Sequence, residues 1–510
     1  MTISNRVHGW DNIKQCDQRG GAPRQMARSV VVLGLVLALG ACALNPPQPP
    51  PADTPAARCL ALYGKLDRAI AEAGGGGPSR PAPVHGFPYL RVDRFLASYR
   101  DQDLSGAALN AWLQRLADAD LQARRIELQA LPAQARAEIA GRYTDHPMSA
   151  LQSCTDTLRA HDLANPARLA LLRERAAMPS EYRVARQIIG LYPLTAIPIS
   201  VGVRRYQAEV KATFAESMQA LPVHGQLQRF APPEPIPARL PIVTEDALGV
   251  PAPTAAQLEV LYAAHAPVWE VDVGGAYDMP GEPRWNGATP TVDASQPAVY
   301  RYPSYTRWQG RALLQLNYVI WFAERPLTGA FDILGGALDG VVWRVTLAED
   351  GRVLTYDTVH PCGCYHMFFP SPALTLRPAA LELAEPPLVP QSAPVLATNQ
   401  RLIIRIASAS HYVQRVYADP ASGAAYRWRD YDELYAAPDP AAQGYRQLFG
   451  ADGLVAGSER RERWLLWPMG IPSAGAMRER GRQATAFVGR RHFDDADLLD
   501  ALFQPAKPVR

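Results

Sequence analysis

Two histidines and two cysteines fall within seven residues at His360-Pro361-Cys362-Gly363-Cys364-Tyr365-His366. Thiolate and imidazole are the ligand types that suit zinc or copper. Pro361 and Gly363 would shape a tight turn that brings Cys362 and Cys364 to one side. His411, on a separate expected strand, is a fifth candidate ligand. Two other readings stay open. Cys-x-Cys with flanking histidines is not a standard zinc-finger spacing, and in an oxidising compartment thiols pair. A bond across one intervening residue is strained and easily reduced, which suits a redox or plain disulfide role. The third reading is inert packing.

Other candidates are weaker. Glu270 and Asp272 share one face of an expected strand, where paired carboxylates do acid–base work, bind a cation, or simply face solvent. Glu324-Arg325 would orient a substrate carboxylate or form a local ion pair. Ser458-Glu459-Arg460-Arg461-Glu462-Arg463-Trp464 and Gly489-Arg490-Arg491-His492-Phe493-Asp494-Asp495 mix arginine with aromatics. Such segments bind phosphate, but their carboxylates favour internal ion pairs. Gly470-Ile471-Pro472-Ser473-Ala474-Gly475 departs from a nucleophile elbow by one residue before the serine. The chain has no His-Glu-x-x-His, no Gly-x-Ser-x-Gly, no P-loop and no dinucleotide fingerprint.

The N-terminal segment reads as an export leader over 1–41. Ser29 to Ala41 is an uncharged apolar run behind Arg24 and Arg28. It is short for a permanent span, which needs about 20 apolar residues. It ends in Leu39-Gly40-Ala41-Cys42, which resembles the bacterial lipobox. That resemblance implies a diacylated Cys42 and cleavage before it. Met26 would serve as an alternative start, leaving a compact leader. Residues 42–57 then form a lipidated, proline-rich linker of extended geometry. Ala43 is not Asp, which in lipoproteins of this kind points to the periplasmic face of the outer membrane. With Cys16 removed and Cys42 acylated, Cys59, Cys154, Cys362 and Cys364 remain, and four cysteines allow three pairings. The simplest joins Cys59 to Cys154.

The net charge of +3 comes from the leader, where Arg6, Lys14, Arg19, Arg24 and Arg28 face Asp11 and Asp17. The remainder is formally neutral, and a nucleic-acid partner, which needs a basic surplus, is not expected. Lysine occurs only at Lys14, Lys65, Lys211 and Lys507. Arginine clusters are therefore weak signals in this chain.

These candidates need a scaffold, and the pattern supplies an α+β one. Residues 58–230 read as a helical domain: Leu109, Trp112, Leu113 and Leu116 share one face, as do Leu151, Cys154 and Leu158. Ile188 to Val203 is a second apolar run, interrupted by Pro193 and Pro198 and flanked by Arg183, Arg186, Arg204 and Arg205. It reads as a membrane-dipping segment or a buried loop. Tyr206 to Leu221 follows as a helix, then a proline-rich linker over 231–254. Residues 255–510 read as a mainly antiparallel-sheet domain. Its strands are Val268–Val273, Leu313–Phe322, Val341–Leu347, Arg352–Val359, Arg401–Ala407 and Tyr412–Tyr417. Helices are expected at Ala255–His265, Ser473–Arg482 and Asp494–Phe503.

The blocks Gln315–Phe322, Asp339–Phe369, Ser410–Val416 and Gly450–Phe493 resemble those of predicted bacterial lipoproteins without an assigned activity. The expected function is a cell-envelope lipoprotein, anchored to the membrane, that binds a small ligand or an envelope protein near 360–366. The alternative is a metal-dependent or thiol-based enzyme using His360, Cys362, Cys364 and His366.

Overall fold

A helix that buries every third or fourth residue starts the described part of the chain. The computed structural model describes residues 50–507 apart from Gln443; the leader and Cys42 lie outside the described residues. Helix α1 (Pro55–Glu72) is capped by Thr54, whose side chain accepts from Ala57 N–H. It buries Cys59, Tyr63, Leu66 and Ile70. After a hairpin of β1 (Ala82–Val84) and β2 (Phe87–Val92) and a single turn, α2 (Arg94–Ala97), comes α3 (Gly106–Ala130). Its Trp112, Leu113 and Leu116 share a core with α1 and with α5 (Pro147–Leu163), while α4 (Ala133–Tyr143) and α6 (Pro166–Arg175) complete the helical layer. A disulfide joins Cys59 of α1 to Cys154 of α5, 95 residues apart.

Two helices follow, the short α7 (Val184–Ile189) and the long α8 (Tyr192–Ala215), with Pro193 in the first turn of α8 and Pro198 inside it. The stretch Ile188–Val203 is not the buried loop that was one expectation: it runs through two helices broken at Gly190-Leu191 and leaves most of its apolar side chains exposed. Two sheets then form. The first has the order β14-β13-β4-β3-β15, built from β3 (Gln226–Ala231), β4 (Val268–Val273), β13 (Gln400–Ile406), β14 (Val413–Pro420) and β15 (Ala424–Ala425). The helix α9 (Ala255–His265), with a full Thr254/Gln257 capping box, leads into β4. A small hairpin, β5 (Glu282–Asn286) and β6 (Thr289–Asp293), leads to the second sheet.

The second sheet has the order β11-β10-β9-β8-β7-β16. Its members are β7 (Ala298–Trp308), β8 (Arg311–Arg325), β9 (Gly336–Leu347), β10 (Val353–Val359), β11 (Met367–Pro370) and β16 (Arg427–Asp430). Pairing is antiparallel except at β13·β4, β15·β3 and β16·β7. Every residue from Ala312 to Phe322 is buried, because both faces of β8 are covered. One face (Leu316, Tyr318, Ile320, Phe322) joins Trp269, Val271, Ile404 and Ile406 of the first sheet in a shared core. The other (Val319, Trp321) packs under Tyr431, Tyr435, Phe449 and Met477 of the C-terminal loops. Strand β12 (Leu374–Leu376) pairs with Phe503–Pro505 at the end of the chain, beside α10 (Pro378–Leu381) and α12 (Leu498–Leu502).

The class is α+β, as expected, but the expected boundaries at 230 and 254 do not separate domains. Pro50 onward clusters as one compact unit. Residues 226–231 are a strand of the first sheet, and the proline-rich stretch is an ordered strap: Asp246 pairs with Arg115 of α3 at 2.6 Å, and Glu234 O accepts from Arg401. Proline removes donors without preventing docking through side chains and carbonyls. The helical layer is tied across as well, with Arg482 on Glu181 (3.3 Å), Arg94 on Asp494 (3.1 Å) and Glu479 accepting from Ser79 N–H. The expected helix Ser473–Arg482 is a series of turns with Ser473, Gly475 and Gly481 at positive φ, and in the tail only Leu498–Leu502 is helical.

Replacing Cys59 and Cys154 together by Ser should lower the unfolding free energy by about 2–5 kcal/mol, since the bridge closes a long loop in the unfolded chain. Chemical denaturation of oxidised protein checks this; an unchanged midpoint would contradict it.

Candidate functional site

Four chain segments meet where β8 ends and β9 begins. In the register of this pair, Asp339 lies opposite Phe322. Strand β10 runs out at Val359 and hands over to the 360–366 turn. That turn is closed by Gly363 N–H on His360 O (2.7 Å) and His360 N–H on Cys364 O (3.0 Å). Gly363 has φ 93°, and a Cβ there would meet Ala484 O at 2.5 Å, so the turn needs glycine. From the first sheet come the β13–β14 connection with His411 and the short turn after β4 with Asp278.

These segments assemble a chain of alternating carboxylates and imidazoles. Asp339 Oδ1 accepts from His360 Nδ1 at 3.0 Å and from Gly340 N–H at 2.8 Å; Oδ2 accepts from His411 Nδ1 at 2.9 Å. His411 Nε2 lies 3.2 Å from Asp278 Oδ1, close enough for ion pairing although off the best hydrogen-bond direction. Asp278 is fixed by Ser408 Oγ (2.7 Å) and the N–H groups of Ala409 (2.7 Å) and Gly274 (2.8 Å). The His411 ring, fully buried, stacks on Phe322 with centroids 4.0 Å apart. His411 and Ala409 both sit at positive φ, a backbone cost accepted where the ring is placed.

Electrostatics follow from this order. Burial opposes charge on His411, but hydrogen bonding and attraction from Asp278 and Asp339 outweigh it and hold the imidazole above its usual value. Burial would raise Asp339; the charges and hydrogen bonds of His360 and His411 instead hold it well below the usual carboxylate range. An ionised Asp339 only accepts, so the Nδ1 atoms of both rings carry protons. His360 is thereby left with Nε2 as its free nitrogen, making no hydrogen bond among the described residues.

Around His360 stand Tyr365 (centroids 4.9 Å) and Tyr412 (5.9 Å), with Tyr206 of α8 packed on both. Arg325 lies 4.9 Å from the Tyr412 ring and donates to its hydroxyl at 3.2 Å. Glu462 is buried nearby; desolvation, with Asp339 adding to it, pushes it up to about 7 against the pull of Arg325 and Arg460.

The five candidate metal ligands do not converge. Only His360 and His411 share a partner, and both spend Nδ1 on Asp339. His366 points to Asp357 (Nε2 to Oδ2, 3.0 Å), which is also held by Arg344 Nε at 2.9 Å and Nη2 at 2.5 Å. Its Nδ1 is buried without a hydrogen-bond partner among the described residues, and desolvation takes the ring down to about 4. Cys362 and Cys364 are free, buried thiols packed in the core with Met477 and Phe493. Cys364 N–H points at Cys362 Sγ (3.4 Å), and the contact with Cys362 followed by burial holds the Cys364 thiol well above its usual value. The expected zinc or copper site is thus not formed: among the described residues no group of three or more His, Cys, Asp or Glu side chains is arranged to hold a metal. The turn sends its imidazoles to different carboxylates and its thiols into the core.

Other sequence candidates serve the fold. Asp272 accepts from the N–H groups of His224 and Gly225, and Glu270 from Arg229 and Tyr417; both carboxylates are buried, not facing solvent. Arg460 donates to Ala337 O, Leu338 O and Ser458 O, and Arg491 to Glu385 O and Thr485 O. Ser473 has a buried hydroxyl without a hydrogen-bond partner among the described residues. Asp278, Asp339, Tyr206 and Tyr412 were not singled out as functional from sequence, and Glu462 entered only as part of the arginine-rich segment Ser458–Trp464. The one available signal was Asp339, the one acid in an otherwise mostly apolar expected strand region. A surface groove of about 590 Å³ lined by Arg94, Leu383, Arg490, Arg491, Asp495 and Leu498 has none of the relay residues in its wall.

No family model matches the chain, and neither curated proteins nor solved structures give a significant match. The fold and site therefore define a class in physical terms: an α+β protein with a buried carboxylate–imidazole relay ending at His360.

Removing the His411 ring (His411→Gln) leaves two facing buried carboxylates, and should cost about 3–5 kcal/mol. Because folding raises the His411 pKa, its contribution is complete below the unfolded value of about 6.5. It fades as pH rises through the folded value. The wild-type advantage over this variant should be larger at pH 6 than at pH 9 in denaturant titrations; an equal gap would refute the assignment of charge.

Proposed function

We propose that the protein is a cell-envelope lipoprotein whose α+β part binds a small ligand at His360 and does acid–base chemistry on it. The observation that carries the chemical half is the relay Asp278–His411–Asp339–His360. A carboxylate on Nδ1 sets the tautomer and ring orientation of His360 and balances the charge the ring acquires when Nε2 takes a proton. His411, held as a cation between Asp278 and Asp339, fixes Asp339 from behind. Glu462, near 7, is poised to give or take a proton at neutral pH. Tyr365, Tyr412 and Arg325 would supply stacking and a cationic contact for the ligand. The reaction class is proton transfer to or from a bound substrate or an attacking water. Binding without turnover is the second reading, favoured by the Tyr206, Tyr365 and Tyr412 rings packed around His360.

The envelope half rests on Leu39-Gly40-Ala41-Cys42 behind its apolar run and on the Cys59–Cys154 disulfide, which suits an oxidising compartment. The proposed location is the periplasmic face of the outer membrane, with the chain held there by acyl groups on Cys42.

Purified protein should hydrolyse activated p-nitrophenyl esters in a panel of acyl groups. His360→Asn, assayed at a temperature where both proteins are fully folded, should lose about 10²–10⁴-fold of that rate. Equal rates in both proteins would rule out a base at His360; absence of hydrolysis, with ligand protection of His360 from diethyl pyrocarbonate, would favour binding alone. Separately, Cys42→Ala should abolish incorporation of labelled fatty acid and release the protein from the membrane fraction. Unchanged fractionation would count against the anchor.

A further inference from the structure

We infer that the surface formed by α7, the first half of α8 and the loops beside them docks on an anionic phospholipid bilayer. Ile188, Ile189, Leu191, Leu194, Ile197 and Val201 are each more than half exposed. The opposite face of the same helix is also apolar: Ala196 is buried, and Tyr192 and Ile199 pack with Leu466, Met469 and Ile471. A helix apolar on both faces needs two apolar surroundings, and the protein supplies one. The exposed side extends to neighbours. Trp464 is 71% exposed on α11 (Arg463–Leu466), and Phe331 is 97% exposed on the loop after β8. These pieces are tied together: Arg183 N–H donates to Gly470 O (2.8 Å), Gln187 Nε2 to Met469 O (3.1 Å) and Arg461 Nη1 to Ala330 O (2.8 Å). Soluble proteins seldom leave such a continuous apolar patch uncovered.

Charge points to lipid as the occupant. Exposed Arg183, Arg186, Arg204 and Arg461 border the patch, and Arg463 lies over the Trp464 ring. Of the nearby acids, Glu209 is paired with Arg205 (2.9 Å), and Asp332 accepts from Thr328, Leu334 and Gly335 within its own loop. An apolar helix face with Trp beside it and arginines at its border is the composition that lies in a headgroup layer. No helix among the described residues is long and apolar enough to cross a membrane. Helix α8 therefore lies along the surface. This contact is independent of acylation at Cys42 and of the chemistry at His360.

The test uses residues 50–510, which form one compact unit with its own cores. They should float with vesicles of phosphatidylethanolamine and phosphatidylglycerol, with a blue shift in tryptophan emission. Ile188→Glu/Leu194→Glu, at exposed positions, should reduce the bound fraction by about tenfold or more without changing the melting temperature. Failure to float would overturn the inference. So would a dimer in vesicle-free sedimentation that the double variant makes monomeric, because the patch would then be covered by a second copy. Equal binding to phosphatidylcholine vesicles would overturn the role given to the arginines.

Discussion

The carboxylate of Asp339 is almost completely buried near the start of β9, just before the apolar run Val341–Trp343, and a bare charge there would cost several kcal/mol. It is stable only because His360, His411 and the Gly340 N–H reach it together. That requirement dictates the geometry of three separate segments. The 360–366 turn must fold back over β9, the β13–β14 connection must swing His411 onto Phe322, and the turn after β4 must bring Asp278 to the far side of His411. The two sheets are locked to each other at this point by charge as well as by their shared apolar core.

A comparison within the molecule shows what sets protonation. His366 and His411 are both buried, and each has a carboxylate within hydrogen-bond reach. Asp357 is already balanced by Arg344, so little attraction is left for a charge on His366, and desolvation takes that ring down. His411 has two carboxylates, and neither is balanced by arginine within the relay, so attraction wins over burial. The same residue types give a ring held neutral in one place and a ring whose charged form is favoured in the other. The difference lies in the neighbours: one carboxylate with Arg491 and Arg344 close by for His366, two carboxylates for His411.

The helical layer is part of this arrangement. It is joined to the sheets through Arg80, Glu181, Glu479 and Arg482 and through the strap carrying Asp246. Helix α8 carries Tyr206 to the rings beside His360 in its second half and a bare apolar face in its first. A movement of this helix would be felt at both places.

Periodicity in the amino-acid sequence was enough to determine the α+β class, most strands and the helices around Trp112 and Cys154, because spacing of apolar residues is a local property. It also marked the 360–366 turn. The region could be found because strand, turn residues and reactive side chains are adjacent in the chain. Which groups meet there was decided by tertiary structure alone. Asp278, Asp339 and His411 come from segments more than 60 residues apart, and no local pattern encodes which imidazole a buried carboxylate will take. The helix expected at Ser473–Arg482 gave way to glycine turns and long-range contacts, and the 230 boundary vanished because Gln226–Ala231 found a partner in Val268–Val273. Local sequence sets which elements form; the cost of leaving a charge or a backbone group unpaired inside sets how they close on one another.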